Sequence, residues 1–323
     1  MPDIGIEFPE RGIARLFELP PAPDPGPTEI LIRTRYSGVT NGTERHAMMG
    51  DFGYSHYPGR HGYQHVGAVE AAGSEVNGFA QGDVVFFGRY VGHRSWHIQD
   101  VGRADPQSYN SHLCLALPED VSPEFCALLG VAGVAMRAVR RCRVAPAQRV
   151  WVAGAGPIGQ FAAQAARAFG AHVTVTDVIE KRIEIAEKLG AHRVINASQP
   201  DSIEALKAGA PYNRIIDACG APSLFKEIHE ANLLAYQGVI EAIAVRGETA
   251  FNWSMLHGRE ASIEVSCHFS LDDLRVVLHF LQQHIIQIEP LVLHRAPIAE
   301  APRIYEMLRD HRDKMLGIIF DWR

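Results

Sequence analysis

A glycine-rich turn, placed between a short apolar run and a longer run with helical spacing, constrains this chain more than any other feature. The turn reads Gly154-Ala155-Gly156-Pro157-Ile158-Gly159. In such a turn the first glycine permits a tight bend, the second lets the backbone approach a pyrophosphate, and the third allows close packing of helix on strand. The helix that follows presents free N–H groups and a partial positive charge. The sequence therefore predicts a dinucleotide site built on residues 154–159.

An acidic residue stands where a ribose ligand is expected. Asp177 ends the next predicted strand, and its carboxylate can accept hydrogen bonds from both ribose hydroxyls of NAD. A 2′-phosphate at the same place would bring like charges together, at a cost of about 1–4 kcal/mol. We therefore expect NAD rather than NADP as the cofactor. Two alternatives stay open: Arg182, one turn into the following helix, could weaken this preference, and Asp177 could serve only as a helix N-cap.

Strands and helices alternate around this turn. Strands are expected at 149–153, 173–176, 214–218, 238–244 and 262–267, and helices at 158–169, 180–189, 224–234 and 271–283. Helices of this length between short buried strands indicate a parallel sheet that is wound in both directions. This part of the chain is therefore predicted to be an α/β, doubly wound domain.

The first third of the chain has a different pattern. Strand-like runs at 29–33, 66–71 and 83–87 are bounded by glycine and proline, which is typical of a small, irregular β-barrel-like domain. Helical spacing follows at 122–141. The tail, residues 290–323, has a strand–helix–strand pattern that could return to the first domain.

Composition and charge exclude several classes of partner. The formal charge of −6 argues against nucleic acid or an anionic membrane surface, and no apolar stretch approaches the ~18–20 residues of a membrane span. Residues 1–18 carry charges throughout, unlike a secretory leader. The five cysteines form no C-x-x-C pair, and we expect them to be reduced. These features predict a soluble, cytoplasmic protein that acts on a small molecule.

Three further segments resemble the medium-chain dehydrogenase/reductase superfamily, of the zinc-type alcohol dehydrogenase kind. They are residues 23–32, 78–85 and 216–220. The resemblance covers essentially the whole chain and implies a GroES-like catalytic domain of residues 1–120 and 288–323 with a Rossmann domain of residues 121–287. It also implies a homodimer joined through the Rossmann sheet edge, and it places Cys219 and Ala244 at the cofactor.

The metal-binding pattern of that family is interrupted in this chain. Zinc-binding members carry a ligand cysteine where this chain has Asn41, and the family's Gly-His-Glu becomes Gly-Tyr-Gln at residues 62–64. The third ligand position falls near residues 130–131, and the four-cysteine lobe is missing. Because Zn²⁺ needs deprotonated sulfur, nitrogen or oxygen donors, we expect no metal. Residues 41–44 and 62–63 are similar to zinc-lacking, bacteriochlorophyllide dehydrogenase-like members.

Without a metal, hydrogen-bond donors must stabilise the charge that develops on the substrate oxygen. The resemblance implies that Thr43 touches this oxygen and that His46 ends a proton relay to solvent, a role that suits an imidazole. Tyr63 replaces the ligand histidine, and we predict that it is the substrate-oxygen donor or anchor. Structural roles stay open for all three: Thr43 as a helix N-cap, His46 as a surface side chain and Tyr63 as a packed ring.

Several side chains of the kinds that bind metals lie close together in the sequence and suggest a rival metal site. Its members would be Glu44, His46, His56, His61 and His65. His93 and His97, by contrast, are expected in a substrate loop or at the surface.

The leading interpretation of function is NAD-dependent, zinc-independent hydride transfer to or from a secondary alcohol or ketone, with a polyol- or sugar-like compound as one possible substrate. One alternative is the reduction of an activated C=C bond, as in quinone-reductase-like relatives. The other is a noncatalytic NAD(H)-binding sensor that kept the dinucleotide site and lost its chemistry.

Overall fold

The computed structural model describes residues 2–51, 55–102, 113–245 and 247–323. The chain divides into two compact units. The first unit contains Met1–Val131, Ser270–Leu278 and Ile288–Arg323, and the second contains Ala132–Phe269 and His279–Gln287. The domain boundaries drawn from the sequence at residues 120 and 288 stay a prediction.

The described residues form strands and helices along both units. In chain order, these elements are β1 (Ile4–Glu7), β2 (Arg15–Glu18), β3 (Glu29–Gly38), α1 (Asn41–Met49), β4 (His65–Ala72), β5 (Val84–Phe87), β6 (Trp96–Asp100), β7 (Cys114–Ala116), α2 (Leu129–Arg141), β8 (Arg149–Ala153), α3 (Pro157–Ala168), β9 (His172–Asp177), α4 (Glu180–Lys188), β10 (Arg193–Asn196), α5 (Ser202–Lys207), β11 (Tyr212–Asp217), α6 (Leu224–Glu230), β12 (Leu234–Ala242), α7 (Trp253–His257), β13 (Ser262–Val265), α8 (Leu271–Gln282), β14 (Val292–Pro297), α9 (Ala301–Asp310) and β15 (Gly317–Asp321). Among these residues, no helix has both the length and the apolar character that crossing a membrane requires.

The first unit is built around one curved sheet. Its strand order is β14-β15-β3-β4-β5-β7, and β6 also pairs with β3. The pairs are antiparallel except for β14 with β15. The apolar side chains of Ile30, Ile32 and Phe87 meet in the interior. In the tail, β15 places Ile319 opposite Gly38 of β3, which confirms the predicted return of residues 290–323 to the first domain.

The second unit contains a sheet of parallel strands in the order β10-β9-β8-β11-β12-β13. From β8 the chain winds outward to β10, and from β11 it winds the opposite way to β13, so the sheet is doubly wound as predicted. Val150, Trp151 and Val152 are successive residues of β8 and are each at most 2% exposed. Burial of successive side chains shows that both faces of the sheet are covered, as parallel sheets require.

The helix expected at 224–234 is shorter than predicted. It ends at Glu230, Asn232 has a left-handed backbone with φ of 58°, and β12 begins at Leu234. Leu233 and Leu234 continue the apolar spacing of the helix, but both are fully buried in the core around the sheet. The prediction was wrong for the last four residues because a short apolar run is compatible with both the helical and the strand periodicity.

Candidate active site

The glycine turn of the second unit joins β8 to α3. Gly154 has a φ of 99°, a backbone conformation that residues with a side chain rarely adopt. A Cβ atom on Gly159 would lie 1.8 Å from the carbonyl oxygen of Gly154, so α3 packs on the turn at a distance that only glycine permits. At Gly156, by contrast, a Cβ atom would meet no described atom within 4 Å. The turn is therefore closed on its inner side and open at its second glycine.

The first turn of α3 lies next to this open space. Gly156 is the N-cap, Pro157 and Ile158 begin the helix, and within the described chain no side chain caps it. Free N–H groups at a helix N-terminus bind anions, and a diphosphate is one such anion. The residues present therefore fit a dinucleotide, whose diphosphate the backbone of the turn would hold.

Asp177, at the end of β9, lies beside the turn and is 8% exposed. Its Oδ2 accepts a hydrogen bond from the N–H of Ala155 (2.7 Å), and its Oδ1 accepts one from the N–H of Ile179 (2.9 Å). Ile179 is the N-cap of α4, so the alternative of Asp177 as that N-cap is wrong. Arg182 is buried with Nη1 3.9 Å from Oδ2. Each carboxyl oxygen has a second lone pair that suits a ribose hydroxyl.

The ends of β11 and β12 lie at the same edge of the sheet. Asp217 is fully buried, and its Oδ1 accepts a hydrogen bond from the N–H of Gly220 (2.9 Å) while its carbonyl oxygen accepts one from Ala244 (3.1 Å). Cys219 lies against the turn, because a Cβ atom on Gly154 would be 2.9 Å from its Cβ. The structure thus brings Cys219 and Ala244 together around Asp217. The sequence analysis missed Asp217, although an Asp followed by Ala-Cys-Gly at a strand end indicates a side-chain turn.

In the first unit, α1 carries two of the predicted catalytic residues. The helix begins at Asn41 with Thr40 as its N-cap. Thr43 is therefore inside the helix, and its alternative role as the N-cap is wrong. His46 lies near the other end of α1, where its Nδ1 is 2.8 Å from Oδ2 of Asp51.

Tyr63 is packed and is 4% exposed. Its ring stacks on Tyr90 with centroids 5.8 Å apart and an interplanar angle of 26°. On another side lies the backbone of Gly130, where a Cβ atom would come within 3.0 Å of the Tyr63 ring. This packing agrees with the structural role that the sequence left open for the ring.

The positions that match zinc ligands of the family hold amide and phenol groups engaged elsewhere. Asn41 Nδ2 donates to the carbonyl oxygen of Leu316 (2.6 Å). Gln64 is fully buried, with Oε1 accepting from the N–H of Val131 (2.8 Å) and Nε2 donating to Thr40 Oγ1 (3.1 Å). Neutral amides and a phenol are not the deprotonated donors that Zn²⁺ takes. The residues at these positions do not fit the family's catalytic zinc.

The rival metal site is also not assembled. In the part of the chain that the structure describes, no group of three or more His, Cys, Asp or Glu residues could hold a metal ion. His46 contacts Asp51, whereas His61 Nδ1 is 2.7 Å from the hydroxyl of Tyr90. His65 is fully buried inside the sheet of the first unit. The clustering of these histidines in sequence does not persist in space, because β4 carries His65 into the interior.

A buried polar network that the sequence did not reveal connects Glu44 to distant segments. Glu44 Oε1 accepts from the N–H of Thr40 (2.7 Å), and Oε2 accepts from the hydroxyl of Tyr305 and lies 3.0 Å from Nε2 of His93. His93 Nδ1 lies 2.9 Å from Ser37 Oγ, which accepts from the indole N–H of Trp322 (2.9 Å). Burial raises the pKa of Tyr305 well above its ordinary value, and Glu44 adds to this shift. Tyr305 is therefore a stable hydrogen-bond donor to Glu44.

Gly62 makes room for this network. It has a φ of 126°, and a Cβ atom there would lie 2.6 Å from the ring of His93. His93 is 1% exposed and His97 is 2% exposed. The expectation that these two histidines lie in a substrate loop or at the surface was wrong, because both enter the interior of the sheet.

His97 forms a second buried contact with His65. Their ring centroids are 4.3 Å apart. Burial lowers the pKa of both rings well below the ordinary value; the nearby His97 adds to the shift of His65, and Arg94 adds to the shift of His97. Among the described residues, Nε2 of His97 has no hydrogen-bond partner. Both rings are therefore held neutral in an apolar interior.

Two family sequence models match the two parts of the chain. Residues 26–155 match the alcohol dehydrogenase GroES-like domain, and residues 157–283 match the zinc-binding dehydrogenase family. These two matches, together with the parallel sheet and its glycine turn, identify the chain as an oxidoreductase. The chain belongs to the medium-chain dehydrogenase/reductase superfamily and is an enzyme of that superfamily.

Individual relatives extend over nearly the full length. L-galactonate-5-dehydrogenase of Escherichia coli (strain K12) is 27% identical over 320 residues, which cover 92% of this chain and 93% of the relative. L-threonine 3-dehydrogenase of Anaeromyxobacter sp. (strain Fw109-5) is 26% identical over 328 residues, 94% of each chain. A solved alcohol dehydrogenase from E. coli CFT073, complexed with NADH, superposes with a TM-score of 0.86 at 19% identity and covers all of both chains. This structural similarity shows that the two proteins share a fold.

Proposed function

We propose that this protein is an NAD(H)-dependent, zinc-independent oxidoreductase that transfers a hydride between nicotinamide and a secondary alcohol or its ketone, with a polyol- or sugar-like substrate. The observation that carries the proposal is the closed glycine turn with Asp177 hydrogen-bonded beside it. The names of the galactonate and threonine dehydrogenases support oxidation of a CH–OH group in a polar substrate.

The choice of NAD over NADP depends on the carboxyl group of Asp177. It lies at the end of β9 with both oxygens fixed by backbone N–H groups, and a 2′-phosphate beside it would meet a like charge. Arg182 Nη1 lies 3.9 Å from Oδ2 of Asp177, at ion-pair distance. The NADH complex of the E. coli CFT073 neighbour supports a nicotinamide cofactor.

Zinc independence is supported by the chemistry of the residues at the matched positions. Asn41 and Gln64 use their amide groups in hydrogen bonds to the protein, and Tyr63 packs against Tyr90. Hydrogen-bond donors then stabilise the developing charge on the substrate oxygen in place of a metal.

We assign roles to three residues of the first unit. Bound NAD supplies the hydride acceptor. Thr43 and Tyr63 donate hydrogen bonds to the substrate oxygen or anchor the substrate, and His46 exchanges a proton with solvent. The carboxyl end of the parallel sheet, with Cys219 and Ala244, holds the nicotinamide half of the cofactor, and Gly154 belongs to the turn that holds the diphosphate.

The proposed assembly is a cytoplasmic homodimer joined at β13. This strand is the outer strand of the parallel sheet, and Val265 on it is 64% exposed. An exposed strand edge is a ready site for pairing with a second copy. Light scattering of the purified protein should give twice the mass of one chain.

The proposed function is tested by combining metal analysis with turnover. We expect purified protein that contains less than about one tenth of an equivalent of zinc to oxidise members of a panel of secondary alcohols and polyols with NAD⁺, and EDTA should not change the rate. Activity that needs added Zn²⁺ contradicts zinc independence. Turnover confined to enones and quinones favours C=C reduction, and stoichiometric NADH binding without turnover favours the sensor.

Asp177→Ala tests the cofactor assignment. We expect the variant to bind NAD⁺ about 10- to 100-fold more weakly, because each good hydrogen bond to a charged group contributes about 1.5–3 kcal/mol. The ratio of kcat/KM for NAD⁺ over NADP⁺ should fall by a similar factor. Asp201→Ala, at the exposed start of α5, is the matched control. An unchanged cofactor ratio in Asp177→Ala contradicts the ribose assignment.

A further inference from the structure

A hydrogen-bonded pair of side chains, His61 and Tyr90, lies at the exposed end of the aromatic cluster that contains Tyr63. Nδ1 of His61 is 2.7 Å from the hydroxyl oxygen of Tyr90. Tyr90 is 44% exposed, whereas Tyr63, which stacks on it, is 4% exposed. His61 is also held by Phe8, because the two rings stack with centroids 5.5 Å apart and an interplanar angle of 17°. A phenolic hydroxyl is thus held beside Tyr63, and the side chain that carries it is open to a ligand.

The environment of His61 keeps its imidazole neutral. Burial lowers the pKa of His61; Glu44 opposes the shift, and His56 and His93 add to it. A neutral imidazole that carries its proton on Nε2 has a lone pair on Nδ1. In this tautomer the hydroxyl of Tyr90 donates to Nδ1 of His61, and a proton can move along the bond from the phenol to the imidazole.

The residues that the sequence indicated are less suited to proton transfer. Tyr63 is almost completely buried by its packing. Nδ1 of His46 lies 2.8 Å from Oδ2 of Asp51 near the end of α1. Tyr90 has all three properties at once: exposure, a hydroxyl group and an imidazole within hydrogen-bond distance.

We propose that Tyr90 and His61 form the acid–base pair of the hydride-transfer reaction, an inference that rests on the proposed function and replaces the proton exchange assigned there to His46. In alcohol oxidation, the oxygen of Tyr90 takes the proton of the substrate hydroxyl while its own proton moves to Nδ1 of His61. The substrate C–H bond breaks, its hydrogen leaves with the electron pair as a hydride to the oxidised nicotinamide, and the C–O bond becomes C=O. His61 then releases the proton to water. One alcohol and one NAD⁺ yield one ketone, one NADH and one proton.

Tyr90→Phe tests the pair directly, with Tyr57→Phe as the matched control. Tyr57 is 36% exposed and donates its hydroxyl hydrogen bond to the carbonyl oxygen of Met48 (2.8 Å). We expect Tyr90→Phe to lower kcat by about 10²- to 10⁴-fold, the usual contribution of a general acid–base group, with an unchanged dissociation constant for NAD⁺. Tyr57→Phe should keep the kcat of the wild type. A Tyr90→Phe enzyme with the kcat of the control overturns the proposal.

His61→Gln adds a readout that a purely structural role would not move. In the wild type, kcat for alcohol oxidation should fall at acid pH with an apparent pKa below the ordinary ~6.5 of histidine, because protonated His61 cannot accept from Tyr90. In His61→Gln this acid limb should disappear and kcat should be uniformly low. A variant that keeps both the acid limb and the wild-type rate overturns the assignment of His61.

The order of the measurements separates the two proposals. Wild-type turnover with NAD⁺ is measured first over the alcohol panel. If the wild type shows none, both the proposed function and the pair fail. If the wild type turns over and both variants match it, the pair alone fails and the proposed function stands.

Discussion

The two units hold polar groups together in opposite ways. In the second unit the glycine turn depends on backbone geometry within a few residues, from Gly154 with its φ of 99° to the close packing at Gly159. In the first unit, Glu44 is joined to side chains 49 and 261 residues away, those of His93 and Tyr305. A site made from local backbone is encoded in one short motif. A network of side chains from distant segments has no local motif.

This contrast predicts opposite sensitivities to substitution. The turn should fail when atoms are added, since a Cβ atom on Gly159 has no space. The network should fail when atoms are removed, because its members are buried donors that depend on one acceptor, Glu44. Substitutions in each unit test this contrast, and their expected effects decrease from the turn to the buried histidines.

Gly159→Val should have the largest effect. Its Cβ atom would lie 1.8 Å from the carbonyl oxygen of Gly154, which is backbone and cannot move away as a side chain can. We expect NAD⁺ affinity to fall on the order of 1,000-fold, about 4 kcal/mol, with a lower thermal midpoint, because α3 must separate from the turn. Isothermal titration calorimetry and thermal unfolding measure the two effects.

Gly156→Ala is the control that separates folding from binding. Its Cβ atom would meet no described atom within 4 Å, so the thermal midpoint should be that of the wild type. The added methyl group lies where the second glycine lets a pyrophosphate approach, and NAD⁺ affinity should still fall. If Gly159→Val binds NAD⁺ as well as the wild type, the turn is not the dinucleotide site.

Glu44→Ala should have the next largest effect, on stability. It leaves the N–H of Thr40 and the side chains of Tyr305 and His93 without their acceptor in a fully buried place. Unsatisfied buried donors cost about 1–3 kcal/mol each, and we expect a loss of about 3 kcal/mol in the free energy of unfolding, measured with urea. Glu75→Ala, an exposed glutamate of the same unit, should change little. Equal urea midpoints for the two variants would show that the network contributes nothing.

The same contrast explains which features could be predicted from the sequence. The glycine turn, Asp177 and the doubly wound sheet follow from local spacing, and the structure has them. The position of His97 was predicted wrongly, because a strand with mixed composition, such as β6, does not reveal which side chains point inward; His93 lies just before that strand and is buried with it. Pairing of β6 with β3 places His97 opposite Ile32, and that pairing is a property of the fold rather than of the segment.

The smallest predicted effect is a pH dependence from the neutral histidines inside the first unit. Folding lowers the pKa of His65 and His97, chiefly by burial, so the unfolded chain binds protons that the folded chain cannot. The free energy of unfolding should therefore be constant above about pH 6.5, the unfolded value, and should fall below it by up to about 1.4 kcal/mol per pH unit for each histidine. The groups that face these rings are each other, His93 and Arg94.

His97→Leu should make this dependence weaker. The variant removes one of the two rings and its unpartnered Nε2, so the slope of unfolding free energy against pH between about 5 and 6.5 should fall by up to about 1.4 kcal/mol per pH unit, the share of one histidine. His257→Leu, an exposed histidine of the second unit, should leave the slope unchanged. Urea unfolding at a series of pH values measures both variants. If His97→Leu has the wild-type slope, His97 does not contribute to the acid sensitivity of the fold.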